Sequence, residues 1–290
     1  MRPLAEFIMR GRMQAGLVAG LSSAIPVLFW LAAAAAALVL LRKGWQDAGN
    51  VVIAALVPAF IWALWGDPFV LMTIACSLLL AWRLRQTVSW AGVVLASALL
   101  GAVCIVAFRL LFGDGIEMLA DKAFELLPMV LGSESYQQLP ADELLVMRRL
   151  FPEVLAGLMA AMVQLMALLS LVLARYWQSM LYNPGGLRQE FHRIRLPRLV
   201  VAALVLVSLA GSTLEMAGLA IVCGMALAFA AVSCVHGLAA KTRFATFWLV
   251  AFYLALVLQI QLVMPLLVLL AIADSLFDLR GLSRSNKDTE

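Results

Sequence analysis

The chain has 290 residues, of which 64% are hydrophobic and only 13% are charged. A soluble globular protein has about a quarter charged and about half apolar residues, so this composition excludes a soluble fold. In a bilayer, only helices or a closed barrel satisfy the backbone hydrogen bonds. The apolar stretches are continuous and rich in Ala and Leu, without the alternation of barrel strands. The sequence therefore predicts an all-α, polytopic transmembrane helical bundle.

Lys and Arg are grouped along the chain. Seventeen of the 21 lie in six short clusters that long apolar stretches separate. The clusters are 1–12, 42–47, 83–86, 175–198, 241–243 and 278–290. Cytoplasmic loops of membrane proteins are enriched in basic residues, so the pattern predicts that all six clusters face the cytoplasm. The net charge of +4 is then explained by basic residues that set the orientation of the chain in the membrane and contact anionic lipid headgroups. We therefore expect no nucleic-acid partner.

Three apolar stretches have basic residues at both ends, which one straight span cannot reconcile with this topology. In Gly49–Trp82, flanked by Lys43 and Arg83, the turn signal Trp65–Pro68 at the centre predicts a helical hairpin. Met13–Leu41 is 29 residues long and Phe244–Phe277 is 34 residues long, each with a proline inside it. We predict a helical hairpin in both, turning near Ser22–Pro26 and at Pro265, with the first arm starting near Pro3. The chain then has about 8–10 helical segments in hairpins, with both termini cytoplasmic.

One transmembrane domain over 1–282 and a polar tail over 283–290 account for the whole chain. The segment 113–145 carries seven acids and one Lys, which predicts an extracytoplasmic loop. Apolar residues at helical spacing in Ile116–Val130 predict an amphipathic helix on the outer surface. The segment 175–198 is the longest cytoplasmic element, and we call it the elbow.

Charged side chains within spans are costly and point to functional sites by default. Four such residues lie near a predicted membrane boundary: Arg109, Glu215, His236 and Asp274. Snorkelling or helix capping is the alternative explanation for each. Arg109 and Glu215 fall on the outer side, as do Trp62 and Trp65 of a predicted aromatic belt. We predict that a small molecule enters from the outer side, under the segment 113–145. The candidate ligand-binding residues are Trp62, Trp65, Arg109 and Glu215.

Polar amides within spans need partners. Gln164 lies in the middle of a span, and Gln259 and Gln261 precede Pro265. Packing against a neighbouring helix is one explanation. Contact with a substrate at a broken helix is the other.

Two features suggest docking of another membrane protein. Small residues recur at every fourth position of the first arm, among them Ala15 and Ala19, and such stripes let helices approach closely. In the elbow, Trp177 and Tyr182 are interleaved with a turn and arginines. The alternatives are packing within the chain for the alanines and an anchor at the lipid headgroups for the aromatic residues.

No motif for catalysis or for a cofactor stands out. The turn Asn183–Gly186 lacks the Lys and the Ser or Thr of a phosphate-binding loop. Neither His192 nor His236 has an acidic or Cys partner at ligand spacing. We expect a protein that is not an enzyme and has no catalytic residues, no metal and no cofactor. The expected partners are the lipid bilayer, another membrane protein and a small-molecule ligand.

Three segments resemble the YybS-like family of bacterial integral membrane proteins, whose domain is of unknown function. They are the start Glu6–Arg12, the elbow run Arg175–Gly186 and the ending Ala273–Arg280. The resemblance extends over nearly the whole chain and implies a bacterial inner (plasma) membrane location. The family is similar, distantly, to the substrate-binding subunits of energy-coupling-factor transporters. In those subunits a stripe of small residues on the first helix docks the coupling subunit, and Ala15 and Ala19 match it by position.

Two functional hypotheses follow. The first is a substrate-binding or transport-related membrane subunit for a small molecule. The alternative is a non-transporting scaffold that organises envelope proteins through its first helix and its elbow.

Overall fold

The structure, a computed structural model, describes residues 1–132, 136–213 and 216–281, with backbone alone at 212–213. These residues form helices joined by short turns, and no strand occurs among them. The helices are α1 Arg2–Arg10, α2 Arg12–Ala24, α3 Phe29–Lys43, α4 Trp45–Leu64, α5 Phe69–Thr87, α6 Trp90–Glu125, α7 Leu127–Leu131, α8 Ala141–Tyr182, α9 Gly186–His192, α10 Arg198–Thr213, α11 Ala217–Ala239, α12 Ala245–Leu258 and α13 Ile260–Phe277. The predicted all-α fold is confirmed.

Seven helical segments of the described chain are long and apolar enough to cross a membrane. They are Pro26–Lys43, Trp45–Leu64, Phe69–Thr87, Trp90–Leu131, Ala141–Tyr182, Ala217–Ala239 and Ile260–Phe277. The shortest has 18 residues, which gives about 27 Å of helix against a hydrocarbon core of about 30 Å. Shorter apolar helices cover 198–211 and 245–258. The chain is a multi-pass membrane protein.

Helix α3 lies at the centre of the bundle. Every residue from Ala32 to Leu41 is buried, and α3 packs against α1, α2, α4, α5 and α8. Six consecutive alanines explain this position, because their small side chains let neighbouring helices approach from every side. A helix that is apolar all round belongs in the interior of a protein.

The first arm is two helices. The chain breaks at Gly11, whose extended backbone (φ −175°, ψ 171°) separates α1 from α2. Helix α1 places Ala5 and Ile8 in the core and leaves Arg2, Glu6 and Arg10 exposed. The predicted start of the arm near Pro3 is therefore wrong, since the amphipathic α1 is a separate element. The predicted turn is confirmed, because α2 ends at Ala24 and α3 begins at Phe29.

The stripe of small residues on α2 packs inside the chain. Ala15 and Ala19 are buried, and the backbone of Gly20 lies close to that of Ala54 on α4. The hydroxyl of Ser23 donates to the Ala55 carbonyl at 2.7 Å. A docking surface needs exposed atoms, so the docking prediction for Ala15 and Ala19 is corrected in favour of internal packing.

Two long helices extend beyond the membrane at the end that carries the acidic segment. Helix α8 has 42 residues, about 63 Å, which is roughly twice the hydrocarbon thickness. The predicted helix in 113–145 exists, but residues 113–125 continue α6 beyond a kink at Phe112. An ion pair between Arg148 and Asp121 (3.1 Å) and an edge-to-face contact between Phe124 and Phe151 hold this arm against α8. Its extracytoplasmic location stays a prediction.

The last hairpin breaks at Gln259 and continues through Pro265. Gln259 leaves the helical conformation (φ −134°, ψ 45°) and ends α12. Its backbone N–H donates a hydrogen bond to the Ala255 carbonyl at 2.8 Å. Pro265 lies inside α13. The prediction of a break at Pro265, with a short second arm, is wrong. The proline is accommodated within the second turn of a helix of 18 residues.

The described residues of the six basic clusters meet at one end of the bundle, which we call the basic end. Direct contacts link one cluster to the next. The linking pairs are Arg12 with Asp47, Arg85 with the carbonyls of Leu40 and Leu41, Arg42 with the Tyr182 ring, Arg195 with Asp278, and Lys241 with the Arg280 carbonyl. This arrangement is the one that the hairpin topology requires.

A buried ion pair, the Arg280 cluster, fixes the end of the described chain. The guanidinium of Arg280 donates to both carboxylate oxygens of Asp274, at 2.6 and 3.2 Å. It also donates to the carbonyls of His192 (2.8 Å) and Ile194 (2.6 Å) and to the Ser233 hydroxyl (3.2 Å). The cluster therefore joins α13, α11 and the chain between α9 and α10.

Replacing one partner of this pair should destabilise the fold strongly. Arg280→Met leaves the Asp274 carboxylate buried and unpaired, which costs about 3–5 kcal/mol. The measurement is thermal unfolding of the purified protein in detergent. Arg148→Met is the matched control, since it breaks an exposed pair worth at most about 1 kcal/mol. Equal shifts in the two variants would contradict the structural role of the cluster.

Helices α8 and α11 cross at two glycines. A Cβ placed on Gly157 would lie 2.3 Å from the Cα of Gly218, so only hydrogen fits there. This close approach fixes the distance between the two helices at the crossing point.

Gly157→Ala should push α8 and α11 apart and destabilise the protein by about 2 kcal/mol through overpacking. Gly224→Ala, in α11 itself, has no atom within 4 Å of the added Cβ and is the control. The free energies of unfolding of the two variants are compared from unfolding curves in detergent. A Gly157→Ala protein as stable as the control would exclude the close crossing.

Candidate binding cleft at the basic end

A cleft of about 880 Å³ opens between α8, α11, α12 and α13. Its walls are mainly apolar. They include Leu165, Leu169, Val172 and Met180 of α8, Met225, Ala228, Phe229 and Val232 of α11, Leu256 of α12, and Ile260, Met264 and Leu267 of α13. From Leu165 to Met180 the cleft follows α8 for roughly 22 Å, at 1.5 Å per residue. It therefore runs from the interior of the bundle to the basic end.

The arginines of the cleft lie at its basic end, together with a histidine. Arg2 of α1 and Arg188 and His192 of α9 form this rim. Slightly deeper, His236 Nε2 and the Tyr253 hydroxyl are 2.8 Å apart and join α11 to α12. None of the described residues that line the cleft is acidic. The cleft thus has a long apolar part and a cationic, hydrogen-bonding mouth.

Helix α9 carries two of the rim residues and is held at both ends. Gly185 has φ +85°, a conformation that favours glycine and lets the chain turn sharply from α8 into α9. Arg188 and His192 are four residues apart and share one face of the helix. Glu190 accepts hydrogen bonds from Arg175 Nε (2.9 Å) and Trp90 Nε1 (3.2 Å), which tie α9 to α8 and α6.

These contacts change two pKa values outside the spans. Burial disfavours ionisation of Glu190, but the hydrogen bonds from Arg175 and Trp90 outweigh it and lower the pKa. For His192, burial and then the positive charges of Arg188 and Arg280 lower the pKa below 6.5. His192 is therefore neutral at pH 7 and can donate or accept a hydrogen bond, while arginines supply the charge of the rim.

One wall of the cleft is a peripheral helix. None of the 14 residues of α12 is buried. Large apolar side chains such as Phe247, Trp248 and Val257 are exposed on it and fit contact with lipid. Because α12 has only sparse packing with the bundle, this side of the cleft adjoins the bilayer.

Two other cavities have less to offer a ligand. One, of about 860 Å³, lies beside the Arg280 cluster, but its cations already donate to protein oxygens. The other, of about 410 Å³, lies between α10, α11 and α13 and is mainly apolar.

The predicted ligand-binding residues are placed apart from the cleft. Trp62 and Trp65 contact each other edge to face, with ring centroids 5.4 Å apart. Arg109 lies 3.1 Å from Glu153 and 4.0 Å from Glu117, so α6 and α8 already supply it with carboxylates. Glu215 lies outside the described residues. Of the other three, none lines the three cavities described here. A ligand site on this side stays a prediction.

The other singled-out residues divide between packing and surface. Trp177 is fully buried, which corrects its assignment as a docking residue, because no partner could reach the ring. Tyr182 is exposed, and the Arg42 guanidinium lies 4.3 Å from its ring centroid. Gln164 is buried and donates to the Ser97 hydroxyl at 3.1 Å, as the packing alternative predicts. Gln259 and Gln261 are exposed.

Sequence reasoning missed the cleft and most of its rim. Arg2 and Tyr253 drew no attention, and Arg188 was considered only as one of several elbow arginines. The spacing of Arg188 and His192 after the Asn183–Gly186 turn was a usable signal, because residues four apart share a helix face. Nothing in the sequence places α1 beside α9.

Comparison with known proteins adds no relative: no family model, no curated protein and no solved structure matches the chain.

The Glu190 contacts predict a pH-dependent stability. Because its pKa in the folded protein lies below the ordinary 4.5, the ionised Glu190 stabilises the fold above that pH. The contribution is lost as the pH falls through the lowered pKa. Glu190→Gln should therefore lower the Tm at pH 7, and the difference from the native protein should shrink as the pH falls below 4.5. Tm measured from pH 3 to pH 8 checks this, and a difference independent of pH would contradict it.

Proposed function

We propose that this protein is a small-molecule-binding membrane subunit whose ligand occupies the cleft between α8, α11, α12 and α13. The observation that carries the proposal is the division of that cleft into an apolar body and a cationic mouth. Binding sites for small molecules have volumes of about 300–1,000 Å³ and apolar walls with a few placed polar groups. The cleft, at about 880 Å³, has that size and that composition.

The walls of the cleft support binding rather than chemistry. Its polar groups are confined to one end, while apolar side chains from α8, α11 and α13 line the rest. A role as the substrate-binding or transport-related subunit of a larger assembly accords with this. The resemblance to the YybS-like family, and through it to transporter subunits, supports the same role.

The proposal includes the membrane in which the protein lies and the side of that membrane that the basic end faces. Basic residues concentrated at one end favour a cytoplasmic location for that end. The family resemblance favours the bacterial inner membrane. The cleft mouth would then open at the cytoplasmic surface, on the side opposite to the predicted site around Arg109.

A scaffold is the second candidate, and the exposed ring of Tyr182 favours it. With Arg42 beside that ring, the elbow presents an aromatic and cationic surface. Such a surface fits either lipid headgroups or a protein partner.

Thermal stabilisation of the detergent-purified protein by a panel of metabolites and amphiphiles tests the proposal. A ligand at about a hundred times its Kd should raise the Tm by about 5 °C. Val232→Trp, which fills the cleft, should abolish the shift, whereas Val250→Trp on the exposed side of α12 should keep it. Loss of the shift in Arg109→Ala but not in Val232→Trp would move the site to the opposite end. No shift with any compound, together with a protein partner lost in Tyr182→Ala, would favour the scaffold.

A further inference from the structure

Like a lipid molecule, the cleft has a long apolar part and a polar end. From Leu165 to Met180 the apolar wall is roughly 22 Å long, whereas one leaflet contributes about 15 Å of hydrocarbon. An acyl chain that lies along α8 would therefore fit within the cleft. The polar rim at Arg2, Arg188 and His192 would then be at the depth of the headgroups.

The charge of the rim selects an anion. Arg188 is exposed at the mouth, and no carboxylate lies within ion-pair distance of it in the described part of the chain. Glu6 pairs with Arg2 at 2.9 Å, which leaves donors of that guanidinium available on its exposed side. Glu190, the nearest acid in sequence, is engaged by Arg175 and Trp90. The planar donors of arginine match phosphate and carboxylate oxygens in geometry and charge, and phosphate is the group that lipid headgroups place at this depth.

The lateral wall gives a lipid a route into the cleft. Helix α12 has no buried residue, and between α11 and α12 the hydrogen bond of His236 to Tyr253 is the one side-chain hydrogen bond described. A ligand with acyl chains reaches such a cleft from the leaflet without crossing water. A water-soluble anion would gain contacts with the rim alone and none from the apolar wall.

We infer that the cleft binds an anionic phospholipid, with its acyl chain along α8 and its phosphate at Arg188, Arg2 and His192. This inference rests on the proposed function and names its ligand class. Neutral His192 donates a hydrogen bond to the phosphate, while the two arginines supply the opposite charge.

Native mass spectrometry of the full chain, released from detergent micelles that contain defined lipid, tests the inference. The probes are dioleoyl phosphatidylglycerol, dioleoyl phosphatidylcholine with the same chains, and inorganic phosphate. We expect phosphatidylglycerol to bind about fivefold more tightly than phosphatidylcholine, which is the effect of one basic residue at an anionic headgroup. Inorganic phosphate at the same concentration should not compete.

Two kinds of variant locate the bound lipid. Arg188→Gln should remove the preference for phosphatidylglycerol, whereas Arg243→Gln, exposed at the basic end and outside the cleft, should keep it. Val232→Trp and Leu256→Trp block the cleft from opposite walls, and each should reduce bound lipid to the level of nonspecific attachment. Because the two lie on different helices, misfolding of one leaves the other as the test.

Each remaining outcome decides the inference. If both lipids bind equally and the Trp variants block them, the headgroup assignment is overturned and the proposed function stands. If inorganic phosphate competes as strongly as the lipid, the acyl chain has no role and the lipid assignment fails. If no lipid binds specifically while a panel compound still raises the Tm through the cleft, the ligand class is wrong. If neither lipids nor panel compounds depend on Val232 and Leu256, the proposed function fails as well.

Discussion

The high cost of placing a charged side chain in hydrocarbon is the constraint on which this structure depends. Because basic residues are also concentrated on the cytoplasmic side, an apolar stretch with basic residues at both ends turns and returns to the face from which it started. The hairpin between α2 and α3 meets this demand, and so does the pair α12 and α13. All six basic clusters consequently meet at one end, where Arg12, Arg42 and Arg85 contact residues of neighbouring segments. The arginines there serve both as topological signals and as structural contacts between helices.

The Arg280 cluster shows how the basic end is made rigid. A guanidinium has five donors in a fixed plane, and here Asp274, two backbone carbonyls and the Ser233 hydroxyl accept from it. Burying such a charge is costly unless every donor is satisfied, so the position of each acceptor is constrained. The chain that joins α9 to α10 is held between α11 and α13 as a result. Glu190 fixes the other side of α9, and the rim of the cleft thereby has a defined shape.

The contrast between the centre and the edge of the bundle explains where a ligand fits. Around α3, alanines allow close packing, and no residue of α3 lines any of the three cavities described above. Along α12, large side chains face outward and packing with the bundle is sparse, so space remains beside α8 and α11. At the opposite end, Arg109 and Arg148 already pair with Glu153 and Asp121. The cleft thus combines unfilled apolar volume with an arginine, Arg188, that has no carboxylate partner in the described chain.

The sequence by itself determined the features that depend on local composition: the helical class, the multi-pass membrane character, the hairpin turn after Ala24 and the meeting of the basic clusters. These follow from hydropathy and charge, which act on each segment regardless of its neighbours. Only the tertiary structure decided which faces are buried. Ala15 and Trp177 suit either a docking surface or a helix interface, and their burial depends on α4 and other helices distant in sequence. The cleft could not be predicted from the sequence either, because it is a space left by incomplete packing between α8, α11, α12 and α13. A void of that kind is a property of packing between helices and leaves no pattern in any one of them.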